Sequence, residues 1–244
     1  MPQLIAMIII VVGAMIYMFQ TFGGTGDKIE GIAQKTSVIT EINNIKTGLK
    51  LAARAEQISA TANVTITPET TTGGTTTPAV TTPARYLKAL GLQKYFAEQI
   101  NEQIEKRTAV GIPTGYDSTS WSTNSYGAIS FGGTTEKAGG MIISLVADKE
   151  GMVPGIFVDF NFTDSSLKDS AGFLESQIAN DLKDVAYIDR TAKTPKSGDL
   201  DRSTTTDTSS IAKRTPKDLG GGTESDGQFI IYFKDFGSNE IVVK

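Results

Sequence analysis

Residues 4–19 read LIAMIIIVVGAMIYMF, and every one of these residues is apolar. No charged side chain precedes Asp27. A helix rises about 1.5 Å per residue, so about 20 residues cross the roughly 30 Å hydrocarbon core of a bilayer. The first 22 residues are therefore predicted to form an apolar helix of membrane-spanning length that protrudes from the rest of the fold.

Three interpretations of this apolar segment are open. A secretory signal peptide is disfavoured, because no Lys or Arg precedes the apolar run and no A-x-A cleavage site follows it. A simple membrane anchor fits the length, although a cytoplasmic flank usually carries Lys or Arg and only three residues precede this run. The third interpretation is an assembly helix that lies in a bilayer first and packs against copies of itself later. Met1 is followed by Pro2, before which an initiator Met is normally removed, and this favours a start produced by cleavage of a leader.

The composition narrows the classes of function. The 244 residues suit one domain, or one domain with an N-terminal stalk. The net charge of -4 argues against a nucleic-acid partner, since no basic patch is present to neutralise phosphates. The absence of His and Cys excludes Ser-His-Asp triads, Cys nucleophiles, disulfides and most zinc or haem ligand sets. These exclusions remove many catalytic and cofactor sites, and we expect a protein that is not an enzyme and that binds no cofactor.

A second helical pattern follows the apolar segment. Gly23, Gly24 and Gly26 weaken a helix by about 1 kcal/mol each relative to Ala, so residues 1–26 are predicted to end in a glycine break. Asp27 with Glu30 resembles a helix start, and residues 27–60 are predicted to form an amphipathic stalk helix. Its apolar stripe recurs at helical spacing and consists of Ile32, Ile39, Ile42, Ile45, Leu49 and Ala52.

The next two segments differ sharply in pattern. Residues 61–84 are rich in Thr and Pro without a helical or strand period, and are predicted to be an exposed loop. Residues 84–107 have an amphipathic pattern that predicts a helix, with Gly91 as a blemish or a short break. Residues 111–127 are turn-rich and contain Trp121, the single tryptophan of the chain.

Strand patterns dominate the remainder of the chain. Residues 128–131, 141–147 and 156–162 are predicted strands, the last two joined in a hairpin by a turn at 148–151. Residues 164–166 are predicted to cap a helix that continues to Asp184, with Leu167, Phe173 or Leu174, Ile178 and Leu182 facing inward. Residues 185–188 are predicted to form a brief strand, and 228–233 is predicted to pair with 241–243 as a terminal strand pair. The predicted fold is α+β, with a long N-terminal helix, its apolar half protruding, packed on a head at 85–244 that contains an antiparallel β-sheet.

This layout resembles that of type IV pilins, especially the larger type IVb kind. The features that match are the retained apolar N-terminus, the glycine break, the amphipathic continuation and a head that ends in a strand. The segment IFVDFNFTDSSLKDSAGFLESQIANDL, residues 156–182, is similar to the family's strand followed by a capped helix. The resemblance covers the whole chain by pattern, and it is specific in the first 60 residues.

The resemblance implies a structural subunit of an extracellular filament, a fimbrium, which is stored in the inner membrane before assembly. Its partners would be identical subunits, a prepilin peptidase and the pilus assembly machinery. Met1 would be the processed and methylated terminus, and the helix would melt near Gly13, Gly23, Gly24 and Gly26. The residues that would form the filament core are Leu4, Ile5, Ile8, Ile9, Val11, Val12, Met15, Ile16, Phe19 and Phe22.

The chain departs from the family pattern in two places. Most type IV pilins carry Glu at the fifth mature position, thought to pair with a neighbouring subunit's terminal amine, whereas the fifth residue here is Ile5. Losing a buried carboxylate is physically tolerable, because an unpaired one is costly, but it leaves the amine to Gln3 or a carbonyl. The family's C-terminal disulfide loop is also absent, since the chain has no Cys.

Several residues match patterns for glycosylation or calcium binding, and each pattern also has a simpler explanation. The triplets that begin at Asn63 and Asn161 match the N-glycosylation pattern, although such triplets arise by chance in Thr-rich chains. Asp199, Asp201 and Asp207 supply oxygen atoms suited to calcium, but their spacing lacks the EF-hand pattern and they are also typical of a solvated loop, so no metal site is predicted. The candidate O-glycan acceptors, which an unmodified loop explains equally well, are Thr70, Thr71, Thr72, Thr75, Thr76 and Thr77.

Three other functions stay open. A membrane-anchored surface or periplasmic protein that does not polymerise, such as a pseudopilin or a ligand-binding module, is the main alternative. An anchored hydrolase would require acids that converge in a pocket of the head, and only loose pairs such as Asp159 with Asp164 are available. An archaeal flagellar subunit shares the apolar N-terminal helix, but the helices predicted at 85–107 and 166–184 argue against its strand-dominated head.

Overall fold

A computed structural model of the protein describes residues 31–67, 69–84, 87, 94–98, 100, 126–127, 139–162, 165–197 and 223–243. The chain divides into two units, Met1–Val38 and Ile39–Lys244. The described residues contain helices and antiparallel sheets, so the fold class is α+β as predicted. The apolar half of the predicted N-terminal helix lies outside the described residues.

Helix α1 covers residues 31–54. Four residues of the predicted stripe, Ile42, Ile45, Leu49 and Ala52, are buried, Ile39 is half-buried and Ile32 is 61% exposed. The helix ends six residues earlier than predicted. Glu56 adopts a positive φ of 55°, which stops an α-helix, and Ser59 forms a parallel β-bridge with Val243.

The core of the second unit is a five-stranded antiparallel sheet with the order β5-β6-β7-β9-β8. Its strands are β5 (Tyr126–Gly127), β6 (Ile142–Val146), β7 (Gly155–Asp159), β8 (Ala186–Asp189) and β9 (Gln228–Phe233). The predicted hairpin of β6 and β7, the brief strand predicted at 185–188 and the strand at 228–233 are confirmed. The strand predicted at 128–131 lies outside the described residues, whereas β5 falls in the segment predicted to be loop.

Both faces of the central strands are covered. All five residues of β6 and all five of β7 are buried, including Ser144 and Asp159. The β7 residues on both faces of the sheet are therefore buried, whereas Asn161, which follows β7, is exposed. Two-sided burial is the reason that these segments read as nearly continuous apolar runs.

Helix α2 (Ala171–Leu182) follows a short 3₁₀ turn at Lys168–Ser170. The helix was predicted to start at 164–166, but its N-cap is Ser170, and Ser165 instead organises the turn before it. The Ser165 hydroxyl accepts from the Leu167 N–H and donates to the Gly140 carbonyl. Leu174 faces the core and Phe173 is 57% exposed, which resolves the alternative between them.

The last residues do not pair with β9, which corrects the predicted terminal strand pair. The Val242 N–H donates to the Met152 carbonyl at 2.7 Å, and its own carbonyl accepts from the Gly151 N–H at 2.8 Å. The Val243 N–H donates to the Ile58 carbonyl at 2.9 Å. Strand β9 already has β7 and β8 on its two edges, so no edge is left for a further partner.

The Thr/Pro-rich stretch is a β-ribbon, which corrects the predicted loop. Strands β1 (Asn63–Thr67) and β4 (Val80–Pro83) pair antiparallel, as do β2 (Thr70–Thr72) and β3 (Thr75–Thr77). Gly73 and Gly74 both have positive φ, 62° and 80°, as a type I′ hairpin turn requires. We call residues 63–83 the threonine ribbon.

The helix predicted at 84–107 is interrupted. Residues 94–96 form a turn, and helical backbone is described only at residues 98 and 100. Leu87, Phe96 and Ile100 are buried as their predicted apolar face requires. The rest of this segment, and Trp121, lie outside the described residues.

Candidate functional site

The residues predicted to build the filament core, Leu4 to Phe22, lie outside the described residues, as do Met1 and the glycines at 13, 23, 24 and 26. Within the part of the chain that the structure describes, no helix combines the length and the apolar character needed to cross a bilayer. The candidate site that the structure does describe is the threonine ribbon. Three polar clusters in the second unit accompany it.

The ribbon places its threonines in register. Thr70 pairs with Thr77, Thr71 with Thr76, and Thr72 with Thr75. Directly opposed residues point to the same face of an antiparallel pair and successive residues point to opposite faces. One face therefore carries Thr70, Thr72, Thr75 and Thr77, which we call the four-threonine face, while Thr71 and Thr76 lie on the other face.

The hydroxyls on the second face bond to each other. Thr71 Oγ1 and Thr76 Oγ1 are 3.2 Å apart. In a hairpin with a two-residue turn, the pair next to the turn exchanges backbone hydrogen bonds and the following pair does not, which brings the latter's side chains closer. The Thr71–Thr76 contact is the expected result of that position. Every residue from Glu69 to Ala79 is exposed.

The two Asn residues of the N-glycosylation triplets have different settings. Asn63 is exposed and begins β1, where it pairs with Pro83. Asn161 is exposed and follows the end of β7, whereas the sequence placed it within a strand. Its backbone N–H donates to Asp159 Oδ1 at 2.7 Å.

A charged cluster holds the C-terminal segment to α1. Glu240 is 2% exposed and accepts from the Gly237 N–H at 2.7 Å and from the Arg54 guanidinium. Asp235 contacts Lys46 at 2.8 Å and Lys50 at 3.3 Å. The three cations are spaced four residues apart, which puts them on one face of the helix.

Lys46 and Lys50 also shift the pKa of Asp235, and they lie over aromatic rings. Partial burial alone would raise the pKa of Asp235, but Lys46 and Lys50 outweigh it and hold the pKa below its ordinary value. Lys46 Nζ lies 4.6 Å from the centre of the Phe233 ring. The chain lacks the cysteines of a disulfide staple, and this cluster fastens its C-terminal segment by charge and burial instead.

A second cluster is centred on Glu175, which is fully buried on α2. Its carboxylate accepts from the Ser225 N–H at 2.9 Å, the Gly227 N–H at 2.8 Å and Arg190 Nε at 2.8 Å. Ser225 and Gly227 both have positive φ, 68° and 85°, so their amides belong to a tight turn. Arg190 also bonds the exposed Glu224 at 2.9 Å. The arrangement fixes the turn that leads into β9.

Asp159 forms a third polar site inside the fold. It is fully buried and accepts from the Gln228 amide at 3.0 Å and the Asn161 N–H at 2.7 Å. Burial raises the pKa of Asp159 to about 6; these two hydrogen bonds oppose the rise and nearby Asp226 adds to it. Asp164, the partner considered from the sequence, lies outside the described residues.

Tyr232 carries a buried hydroxyl group in mainly apolar surroundings. It is 1% exposed and belongs to an apolar cluster with Val146, Phe157 and Ile230. Burial raises the pKa of its hydroxyl, with the nearby Ser197 side chain acting in the opposite direction. Its hydroxyl does not reach hydrogen-bond geometry with any of the described residues. This phenol is part of the packing of the sheet.

The described residues contain no group of three or more acids arranged to hold a metal ion. Asp199, Asp201 and Asp207, the calcium ligands considered from the sequence, lie outside the described residues. The polar clusters that the structure does describe pair carboxylates with cations, amides and backbone N–H groups. Their geometry positions turns and segments.

The hairpin turn and the charged face of α1 could have been found from the sequence, whereas the burial of two carboxylates could not. The Gly-Gly pair between β-branched runs is a recognised hairpin signal, and the charges at 46, 50 and 54 lie on one helical face. The burial of Glu175 and Asp159 has no local signal, because it depends on segments about 50 to 70 residues away.

Comparison of the chain with models of known protein families, with curated proteins and with solved structures found no match in any of the three.

Proposed function

We propose that this chain is a structural subunit of an extracellular, type IV pilus-like filament, and that it polymerises through the apolar segment of residues 1–22. The observation that carries the proposal is the charge-free run from Leu4 to Phe19 in a chain whose later residues form an α+β fold. Such a run is stable in a bilayer or in a bundle of its own copies, and it is costly in water. The role is structural rather than catalytic.

The second unit supports the proposal by being a fold with its own core. Its strands β6 and β7 are buried on both faces, and its C-terminal segment is fastened to α1 by Glu240 and Asp235. A filament subunit exposed outside the cell needs such closure, and in a chain without Cys it must come from packing and charge.

The proposal implies particular partners and places. Before assembly the chain resides in the inner membrane, and afterwards in a filament of identical subunits at the cell surface. A prepilin peptidase and the pilus assembly machinery process and polymerise it. Methylation of the terminal amine would follow processing.

The substitution Ile9→Asp tests the assembly role. A carboxylate in the middle of the apolar run costs several kcal/mol in a bilayer or a dry helix bundle, so we expect filaments to disappear from negative-stain micrographs. The head should keep the circular dichroism spectrum and melting temperature of the wild type, measured on the detergent-solubilised chain.

The matched control is Asn180→Asp, which adds the same charge on the exposed surface of α2. This variant should form normal filaments. Normal filaments from Ile9→Asp would falsify the proposed assembly through residues 1–22.

A second candidate is favoured by Ile5, which occupies the position where most type IV pilins carry Glu. In this alternative the same segment only anchors a surface or periplasmic protein, such as a pseudopilin or a ligand-binding module. Negative-stain microscopy of the wild-type protein separates the two, because the anchored protein gives no filaments or only short stubs.

A further inference from the structure

We propose that the threonine ribbon is a site of O-linked glycosylation, and that its sugars are attached on the four-threonine face, at Thr70, Thr72, Thr75 and Thr77. In the reaction a threonine Oγ1 attacks the anomeric carbon of an activated sugar, a sugar nucleotide or a lipid-linked sugar phosphate. The bond from that carbon to the phosphate oxygen breaks, and a base of the transferase takes the hydroxyl proton. The proposal does not depend on filament formation.

Accessibility is the first argument. Every residue from Glu69 to Ala79 is exposed, and β2 and β3 hydrogen-bond to each other in a sheet separate from the five-stranded one. Among the described residues no further strand pairs with β2 or β3, so an enzyme that binds its substrate as an extended strand can approach them. A transferase thus meets threonine hydroxyls without unfolding the sheet that forms the core.

The sequence around these residues points the same way. Residues 61–84 contain Pro68, Pro78 and Pro83 among eleven threonines. Thr-rich segments with interspersed Pro are typical of O-glycosylated stalks. The prolines also lack an N–H, so they limit the length of continuous strand that could pair with another chain.

The pairing register of β2 with β3 indicates which face of the ribbon has room for sugars. Thr70–Thr77 and Thr72–Thr75 occupy the wider kind of antiparallel pair, with Cα atoms about 5.5 Å apart, while Thr71–Thr76 occupies the narrower kind, at about 4.5 Å. The Thr71 and Thr76 hydroxyls already bond each other at 3.2 Å. A sugar on either of these two would crowd the closely opposed side chain, whereas the opposed side chains of the four-threonine face are farther apart.

The first experiment is mass spectrometry of the protein isolated from the cells that naturally make it. Cleavage after Lys and Arg places the whole ribbon in one peptide, residues 55–85, because no Lys or Arg lies between Arg54 and Arg85. We expect this peptide to carry added mass in multiples of a sugar residue. Electron-transfer fragmentation should place that mass on the four-threonine face. A peptide found only at its unmodified mass overturns the proposal.

A peptide of similar composition is the internal control. Residues 203–213 read STTTDTSSIAK and are rich in Thr and Ser without Pro. If composition alone directs modification, both peptides carry sugar to the same extent, and the ribbon is not a specific site. We expect the added mass on residues 55–85 to exceed that on residues 203–213.

Two Val variants made in the same cells test the face. Val keeps the β-branched shape that suits a strand and removes the hydroxyl. The variant T70V/T72V/T75V/T77V should lose most of the added mass, and T71V/T76V should keep most of it. The reverse result overturns the assignment of the face.

Discussion

At the scale of single residues, Asp159 shows how position in the fold overrides the chemistry of the free side chain. The carboxyl is buried against the Gln228 amide and the Asn161 N–H rather than against a cation. Burial penalises the charged form, and two neutral hydrogen bonds compensate for it only in part. This is why the pKa of Asp159 rises to about 6.

The raised pKa predicts a specific dependence of stability on pH. Between the ordinary value of 3.8 and about 6, the folded state binds a proton that the unfolded state has released. The contribution of Asp159 is therefore fully present below pH 3.8 and is lost as the pH rises through 6. Two pKa units correspond to roughly 3 kcal/mol.

We predict that Asp159→Asn removes this dependence. The free energy of unfolding of the wild type, relative to the variant, should fall by up to roughly 3 kcal/mol between pH 4 and pH 7. Urea unfolding of both proteins at several pH values measures the difference. If the two proteins follow parallel profiles, Asp159 does not titrate as proposed.

Asp235→Asn is the control of opposite sign. The pKa of Asp235 is lowered by Lys46 and Lys50, so its contribution is present above the ordinary pKa and is lost as the pH falls through the folded value. The wild type should therefore lose stability relative to this variant on acidification. The effect should be small, because the side chain of Asp235 is 48% exposed.

At the scale of elements, a buried carboxylate is central to the connection between α2 and the turn before β9, which the Ser176 and Ser225 hydroxyls also join at 3.0 Å. Glu175 accepts from two backbone N–H groups that lie 50 and 52 residues away and from the Arg190 side chain, 15 residues away. A Cβ atom added at Gly227 would lie 2.5 Å from the Ala171 Cβ, so the turn also packs closely against the start of the helix.

We predict that Glu175→Gln destabilises the fold by about 2–4 kcal/mol, because it places an N–H₂ donor against a donor and removes the buried negative charge that pairs with Arg190. Glu224→Gln is the matched control. Glu224 bonds the same Arg190 but is 65% exposed, so the expected loss is below about 1 kcal/mol. Urea unfolding of the two variants measures both values, and equal losses would contradict the assigned role of burial.

The elements also show what sequence reasoning can and cannot reach. The β6–β7 hairpin and β9 were predictable, because their apolar runs are bounded by turns. The amphipathic stripe of α1 was predictable at positions 42, 45, 49 and 52, where local period and burial agree. The pairing of residues 241–243 was not predictable, because their hydrogen bonds to Ile58 and Met152 depend on tertiary packing. The ribbon was predicted to be a loop, although its Gly-Gly pair could have been recognised as a hairpin turn.

At the scale of the whole molecule, the ribbon and the five-stranded sheet are separate hydrogen-bonded structures. An isolated two-stranded ribbon is at best marginally stable in water, so its persistence depends on its turn, its β-branched residues and its root. The root is formed by Ala62 and Ala84, where the Ala84 N–H donates to the Ala62 carbonyl at 2.9 Å. The two ends of the ribbon are thus already in contact.

This geometry predicts that the ribbon can be removed without loss of the fold. Replacing residues 63–83 by Gly-Gly would join Ala62 to Ala84 with the type of turn that Gly73 and Gly74 make between Thr72 and Thr75. The melting temperature should change by less than about 3 °C, which corresponds to about 1 kcal/mol in a domain of this size. A control with Ala-Ala in place of Gly-Gly should be less stable than the Gly-Gly variant, since Ala tolerates positive φ poorly. Removing an appendage leaves the packing of the sheet unchanged, so the Gly-Gly variant should unfold cooperatively. Loss of cooperative unfolding in this variant would show that the ribbon is instead part of the core.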